Sequence, residues 1–154
     1  IAEMTAFYKD QGISLYDALL DMYQQYGLYK ETLISITKKG KTGAEEIKTM
    51  MQNFRTNTPN SLGGSKVIEL KDYEMGKETN LLTGIVSNLN LPISDVLQFI
   101  TDDGSIISAR PSGTEPKIKF YCSVKTDLPD KKAFNNVDKM LDAKISVIMR
   151  NLIV

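Results

Sequence analysis

The chain has 154 residues, 42% hydrophobic and 25% charged, a composition that fits a soluble globular domain with one good core and at most a fragment of a second. Lys plus Arg and Asp plus Glu both number 19, and a zero balance argues against a surface built to neutralise a nucleic-acid backbone or an anionic membrane, so any anion binding must be local. The single cysteine, Cys122, has no partner for an internal disulfide, which fits a reducing, cytoplasmic setting and a small buried apolar role; no segment approaches the roughly 20 apolar residues of a membrane helix.

The sequence opens Ile1, Ala2, Glu3, Met4 in a pattern that already reads as helix, as expected of a piece cut from something longer. Met4, Phe7 and Tyr8 share one helical face and Gly12 follows as a stop. Ser14 caps a second helix with Asp17 at its third position, and Leu15, Leu19, Met22 and Tyr26 give its stripe before Gly27 ends it. Leu33 to Lys38 alternates as a strand, with Ile34 and Ile36 on one face. Thr42 and Glu45 make a capping box for a helix whose stripe is Ile47, Met50, Met51 and Phe54, and Pro59 with Gly63 and Gly64 closes that unit.

Beyond residue 65 the period switches from helical to alternating, and strands are expected at Lys66 to Lys71, Asp95 to Thr101, Ser105 to Arg110 and Lys117 to Lys125. Asp102, Asp103 and Gly104 form a hairpin turn; two carboxylates before a glycine in such a place read as turn chemistry rather than as a metal site. The stretch from Tyr73 to Pro92, rich in Asn, Gly, Thr and Ser, reads as a long surface loop. Phe134, Val137, Leu141, Ile145, Ile148 and Leu152 mark a long amphipathic helix from near Asp130. The plan is α+β, an antiparallel sheet of four to five strands with two helices on one face.

One loop has the composition that an anion cradle requires. Between two expected strands lies Arg110, Pro111, Ser112, Gly113, Thr114, Glu115, Pro116. The two prolines hold Arg110 and Glu115 extended, Ser112 and Thr114 offer hydroxyls, Gly113 frees the backbone to turn its N–H groups toward a ligand, and the Arg110 fork matches two phosphate oxygens. Lys117 and Lys119 alternate with Ile118 and Phe120, so both lysines share the polar face. The same residues also suit a plain turn, and composition alone leaves both readings open. Glu115, beside Arg110 and two lysines, reads as a pairing partner that fixes the loop rather than as a catalytic acid. The chain has no histidine, so no acid, base or metal ligand of that type exists.

The run Arg110 to Pro116, followed by Lys117, Ile118, Lys119, Phe120 and Tyr121, resembles the C-terminal phosphate-binding signature of the α-D-phosphohexomutases, the phosphoglucomutase and phosphomannomutase family. Tyr26 to Glu31, Lys39 to Glu46 and Asp102 to Tyr121 resemble stretches of that family in the same order. The resemblance implies that residues 1–31 are the helical tail of a third domain and residues 32–154 the fourth. It also implies that the full-length enzyme moves a phosphoryl group from a phosphoserine to a hexose monophosphate through a bisphosphate, with Mg2+ and a hexose bisphosphate activator. The serine loop, the Asp-rich metal loop and the sugar-reading loop of that reaction are not in this sequence. This piece alone is therefore expected to catalyse nothing and to bind no metal; its partners are the hexose phosphate and the other domains, with no nucleic acid and no membrane. Its implied part is to hold the phosphate that is not reacting, through Arg110, Ser112, Gly113 and Thr114, with Lys117 and Lys119 as electrostatic support. A phosphoglucosamine mutase or phosphopentomutase fragment, or a non-catalytic α+β interaction module, would share the same fold plan. An RNA module is disfavoured because the strands lack exposed stacking aromatics beside a basic stripe.

Overall fold

The computed structural model describes residues 1–38 and 40–153. Lys39, where the second stretch of resemblance opens, and Val154, the last residue of the expected fourth domain, lie outside the described residues. Two helices open the chain, α1 (Ala2–Asp10) and α2 (Leu15–Tyr26), and then come β1 (Leu28–Thr37), α3 (Gly40–Thr56), β2 (Ser61–Leu62), β3 (Ser65–Asp72), β4 (Lys77–Asn80), β5 (Val86–Asn88), β6 (Leu97–Thr101), β7 (Ile106–Pro111), β8 (Lys117–Thr126) and α4 (Phe134–Ile153), the last preceded by a 3-10 turn at Lys131–Ala133. The strands form one eight-stranded sheet in the order β1-β8-β7-β6-β3-β4-β5, with β2 paired to β3. Every pairing is antiparallel.

The alternation along β8 decides which face of the sheet is the core. Ile118, Phe120, Cys122 and Val124 are buried on one side, and α3 and α4 cover that side with Ile47, Met51 and Phe54 from one helix and Leu141, Ile145, Ile148, Met149 and Leu152 from the other. The ring of Phe54 meets Phe99 and Phe120 edge-on at 5.7 and 6.3 Å, the geometry that ring quadrupoles favour. Burial pushes the Cys122 thiol up to about 11, so this cysteine packs as a small apolar side chain.

The α+β architecture with an antiparallel sheet matches the sequence reading, but the sheet has eight strands rather than the expected four to five, and three differences of detail go with that. The Tyr73 to Pro92 stretch is not a bare loop but carries the hairpin of β4 and β5. Their sequences, Lys-Glu-Thr-Asn and Val-Ser-Asn, lack alternation because neither face of the hairpin is buried. The first strand begins at Leu28, five residues before the expected start, because it pairs with β8 along its whole length from Leu28 opposite Thr126 to Thr37 opposite Lys117. It therefore crosses the expected boundary between residues 31 and 32 without a break. Finally, α3 starts at Gly40, so Thr42 lies inside the helix and is not its cap. Gly43 is required there: a Cβ on it would stand 2.6 Å from the Cβ of Lys38, closer than two carbons can approach.

Candidate functional site

The β7–β8 connection holds the anion-cradle sequence at one end of the sheet. Antiparallel register sets Arg110 opposite Lys119 and Pro111 opposite Ile118, and partners across a ladder share a face. Ile118 is buried on the helix side, so the register places Arg110 and Lys119 on the opposite, uncovered side of the ladder, and Arg110, at the end of its strand, also borders the cavity beside α3. Lys117 follows on that side two residues from Lys119, beside Thr37 of β1, and Ser35 stands beside Lys119. The structure thus brings Arg110, Lys117 and Lys119 together. Among the described residues, Lys117 has one carboxylate nearby, Glu115 at 3.9 Å, and neither Arg110 nor Lys119 has any within ion-pair distance. The expected Glu115 pairing thus reaches one lysine and not Arg110. Like charges opposite each other cost a few tenths to about 1 kcal/mol, so this end of the sheet holds uncompensated positive charge.

The loop itself is held by its backbone. Ser112 N–H donates to the Lys117 carbonyl at 2.8 Å, Lys117 N–H to the Glu115 carbonyl at 2.7 Å, and Lys38 N–H to the Pro116 carbonyl at 2.8 Å. Thr114 N–H reaches the Ser112 hydroxyl at 3.4 Å. The N–H groups of Gly113 and Glu115 have no acceptor within hydrogen-bond distance among the described residues. Gly113 has no left-handed φ, and a Cβ on it would meet nothing within 4 Å, so the backbone freedom expected of it is not what this position uses. Its consequence is open space at the loop surface.

On the other side of the loop lies a cavity of about 620 Å³ between α3, the Ser94–Val96 segment and the loop. Arg110, Ser112, Gly113 and Glu115 form one wall, and Thr114, Lys117 and Lys119 do not reach it. The α3 wall holds Ala44, Lys48 and Gln52, spaced four apart and so on one helical face, together with the core residues Ile47 and Met51. Sequence reasoning missed Lys48 and Gln52; the signal was this second stripe, one position round the helix from the core residues Ile47 and Met51. Arg55 closes the cavity's far end, bound to Asp72 at 3.0 Å, Glu74 at 2.6 Å and Asp95 at 2.6 Å. Desolvation works against the Arg55 charge, but hydrogen bonds and attraction from Asp95 and Asp72 outweigh it and raise its pKa further.

The Asp102–Gly104 turn is built as expected, with Gly104 N–H on the Thr101 carbonyl at 2.9 Å. Asp103 does more than turn the chain. It accepts from Thr101 Oγ1 at 2.7 Å and Ser105 Oγ at 2.8 Å, and it pairs with Lys144 of α4. Burial pushes its carboxyl up, but the hydrogen bonds from Lys144, Ser65, Thr101 and Ser105 outweigh that and hold it far below the usual carboxylate range. Among the described residues no group of three or more His, Cys, Asp or Glu is arranged to hold a metal ion, and no helix is long and apolar enough to cross a membrane.

Residues 39–144 match the family model of the phosphoglucomutase/phosphomannomutase C-terminal domain. A phosphoglucomutase of Staphylococcus epidermidis is 40% identical over 119 residues, 77% of this chain and 22% of that protein. A phosphoglucomutase of Staphylococcus aureus strain MRSA252 is 38% identical over 134 residues, 87% of this chain and 23% of its own. A weaker likeness joins the chain to the crystal structure of parafusin, a phosphoglucomutase from Paramecium, at 18% identity and a TM-score of 0.44 over 85% of this chain and 22% of that one. The chain spans about a fifth of the length of the curated relatives it matches.

Proposed function

Because the chain belongs to the phosphoglucomutase/phosphomannomutase family through its C-terminal domain, we propose that it holds the non-reacting phosphate of a hexose phosphate while other domains of the same enzyme carry out phosphoryl transfer. The observation that carries this reading is the like-charged pair of Arg110 and Lys119, with Lys117 beside them and, among the described residues, no carboxylate against the first two. An anion of charge near −2 is what such a cluster lacks, and the Arg110 fork can bind two of its oxygens at once. Ser112 and Thr114 add hydroxyls, and the N–H groups of Gly113 and Glu115 add unused donors. Holding the remote phosphate in either orientation of the sugar keeps the reacting end in place.

In the full-length enzyme the reaction runs through a phosphoserine and a bisphosphate intermediate in the cytoplasm, making it an isomerase of hexose phosphates. The opening helices, residues 1–27, form the end of the preceding domain, and the phosphate-binding one begins with β1 at Leu28 rather than at residue 32. Mg2+ and a hexose bisphosphate activator belong to the other domains; among the described residues, Arg55 and Lys144 already engage the carboxylates that cluster.

The test is a titration of the isolated chain with inorganic phosphate and glucose 1-phosphate, followed by amide NMR. Binding at about millimolar strength is expected, because one charge-assisted phosphate contact contributes roughly 1.5–3 kcal/mol each for only a few partners. Shifts should cluster at residues 110–119. Arg110→Ala should abolish them, and Arg110→Lys should restore a part. Shifts spread evenly over the surface, or unchanged in Arg110→Ala, would leave the loop as a turn.

A further inference from the structure

The hairpin of β4 and β5 ends the sheet with an edge unlike the rest of the molecule. In a chain that is 25% charged, no charged residue occurs from Thr79 to Ser94. Within that run Ile85 is 64% exposed, Val86 54% and Ile93 80%, and Leu82 and Leu91 are also exposed. Natural sheet edges are usually guarded by Lys, Pro or a covering element, and β5 has none of these: all three of its residues are exposed and it ends the strand order.

The ladder shows which of its backbone groups are unused. Asn80 N–H donates to the Ile85 carbonyl and Leu89 N–H to the Gly76 carbonyl, at 2.9 and 2.8 Å, while Glu78 faces Ser87. Antiparallel pairing alternates residue by residue, so residues 85, 87 and 89 spend their polar groups on β4. The N–H and C=O of Val86 and Asn88 point away from the sheet. A further strand is the chemistry that satisfies them.

From this geometry we infer that β5 is a docking edge for a second copy of this chain, pairing antiparallel about Ser87. In that register Val86 of one copy faces Asn88 of the other, and both pairs exchange their outward groups, which makes about four hydrogen bonds. A two-fold contact needs a surface that complements itself; an uncharged edge does so, because nothing on it repels its own copy. The helices that open this chain do not reach the edge. Residues 1–27 lie beside β1 at the opposite end of the strand order, six strand spacings or roughly 30 Å away. The exposed apolar side chains amount to roughly 500 Å² per copy, the size of a weak reversible association.

Sedimentation velocity of the chain from about 5 to 500 µM tests this, with half-dimerisation expected on the order of 100 µM. Ser87→Lys is the decisive variant. Within one copy the introduced ammonium lies opposite Glu78 and supports the hairpin, whereas across the two-fold it meets its own like charge. Dimerisation should weaken by tenfold or more with the thermal midpoint preserved. Asn88→Pro removes an outward N–H and leaves the β4 ladder intact, so it should weaken the dimer similarly. A chain that stays monomeric at 500 µM overturns the inference, and so does a dimer that both variants leave unchanged.

Discussion

Arg110 at the end of β7 stands directly opposite Lys119 on β8, two cations sharing a face with no carboxylate within ion-pair distance of either among the described residues. In the absence of an anion this pair works against the hairpin that carries it. Arg110→Ala is therefore expected to leave the stability unchanged or raise it by up to about 1 kcal/mol in phosphate-free buffer. Inorganic phosphate at ten times a millimolar dissociation constant should stabilise the unmodified chain by about 1.4 kcal/mol and the variant hardly at all. Thermal unfolding with and without 10 mM phosphate measures both. A variant that is less stable without phosphate would mean that Arg110 serves packing.

The clasp between Asp103 and Lys144 gives a pH dependence of definite sign. The folded-state pKa of Asp103 lies below its ordinary value, so its contribution is complete above about pH 4, the unfolded value, and is lost as the pH falls from there toward the folded one. Asp103→Asn keeps the shape but not the charge, and should cost about 1–3 kcal/mol at pH 7, since several donors then face a neutral acceptor. Urea unfolding at pH 7 and at pH 3 should show the difference between variant and parent shrinking at the lower pH. A constant difference would assign the effect to geometry.

The parts of the fold legible in the sequence are those that bury a face. Ser14 accepts from Asp17 N–H at 3.1 Å as its spacing implies, and all of Ile118, Phe120 and Val124 in β8 point to the core. Strands β4 and β5 were not legible because both of their faces meet water, so no apolar alternation records them. The loop at residues 110–116 was legible because prolines, small hydroxyls and an arginine act locally. The opposition of Arg110 and Lys119 also follows once a short loop joins two antiparallel strands. What was hidden is whatever joins distant segments: Arg55 meets Asp72 and Asp95, 17 and 40 positions on, and no local pattern marks such a set.

Arg55 is the tie between α3 and the base of the hairpin. Asp72, whose side chain is only 12% exposed, also accepts from Glu74 and Met75 N–H at 3.0 and 3.1 Å, so it fixes the bend from which β4 departs. Removing the guanidinium leaves that carboxylate nearly buried and unpaired, a change that costs about 3–5 kcal/mol in comparable settings. Arg55→Met should thus be among the most destabilising single changes outside the core. Arg55→Lys keeps one charge but reaches fewer of the three carboxylates, so an intermediate loss is expected. Denaturant midpoints decide it: equal stability of parent and Arg55→Met would show that the network is a solvated surface cluster.

The two opening helices differ in what they give the rest of the molecule. No residue of α1 is buried, and a deletion of residues 1–13 should change stability by less than about 0.5 kcal/mol. Helix α2 is anchored: Leu20 is buried in the core, the Tyr23 ring stacks on Phe134 with centroids 6.0 Å apart, and Asp21 pairs with Lys131 at 2.5 Å. Burial of one leucine contributes about 1.5–3 kcal/mol and an aromatic pair about 0.5–1.5, while the exposed ion pair adds little. Deleting residues 1–27 should accordingly cost about 2–4 kcal/mol and leave cooperative unfolding in place. The cut must not pass Gly27, because Leu28 is buried and opens the ladder with β8 opposite Thr126. A deletion of residues 1–32 would remove half of β1, including Lys30 with its pairs to Asp138 and Asp142 of α4, and should abolish the cooperative transition. Thermal unfolding of the three truncations would show it; equal cooperativity in the last two would mean that the sheet is complete without the first half of β1.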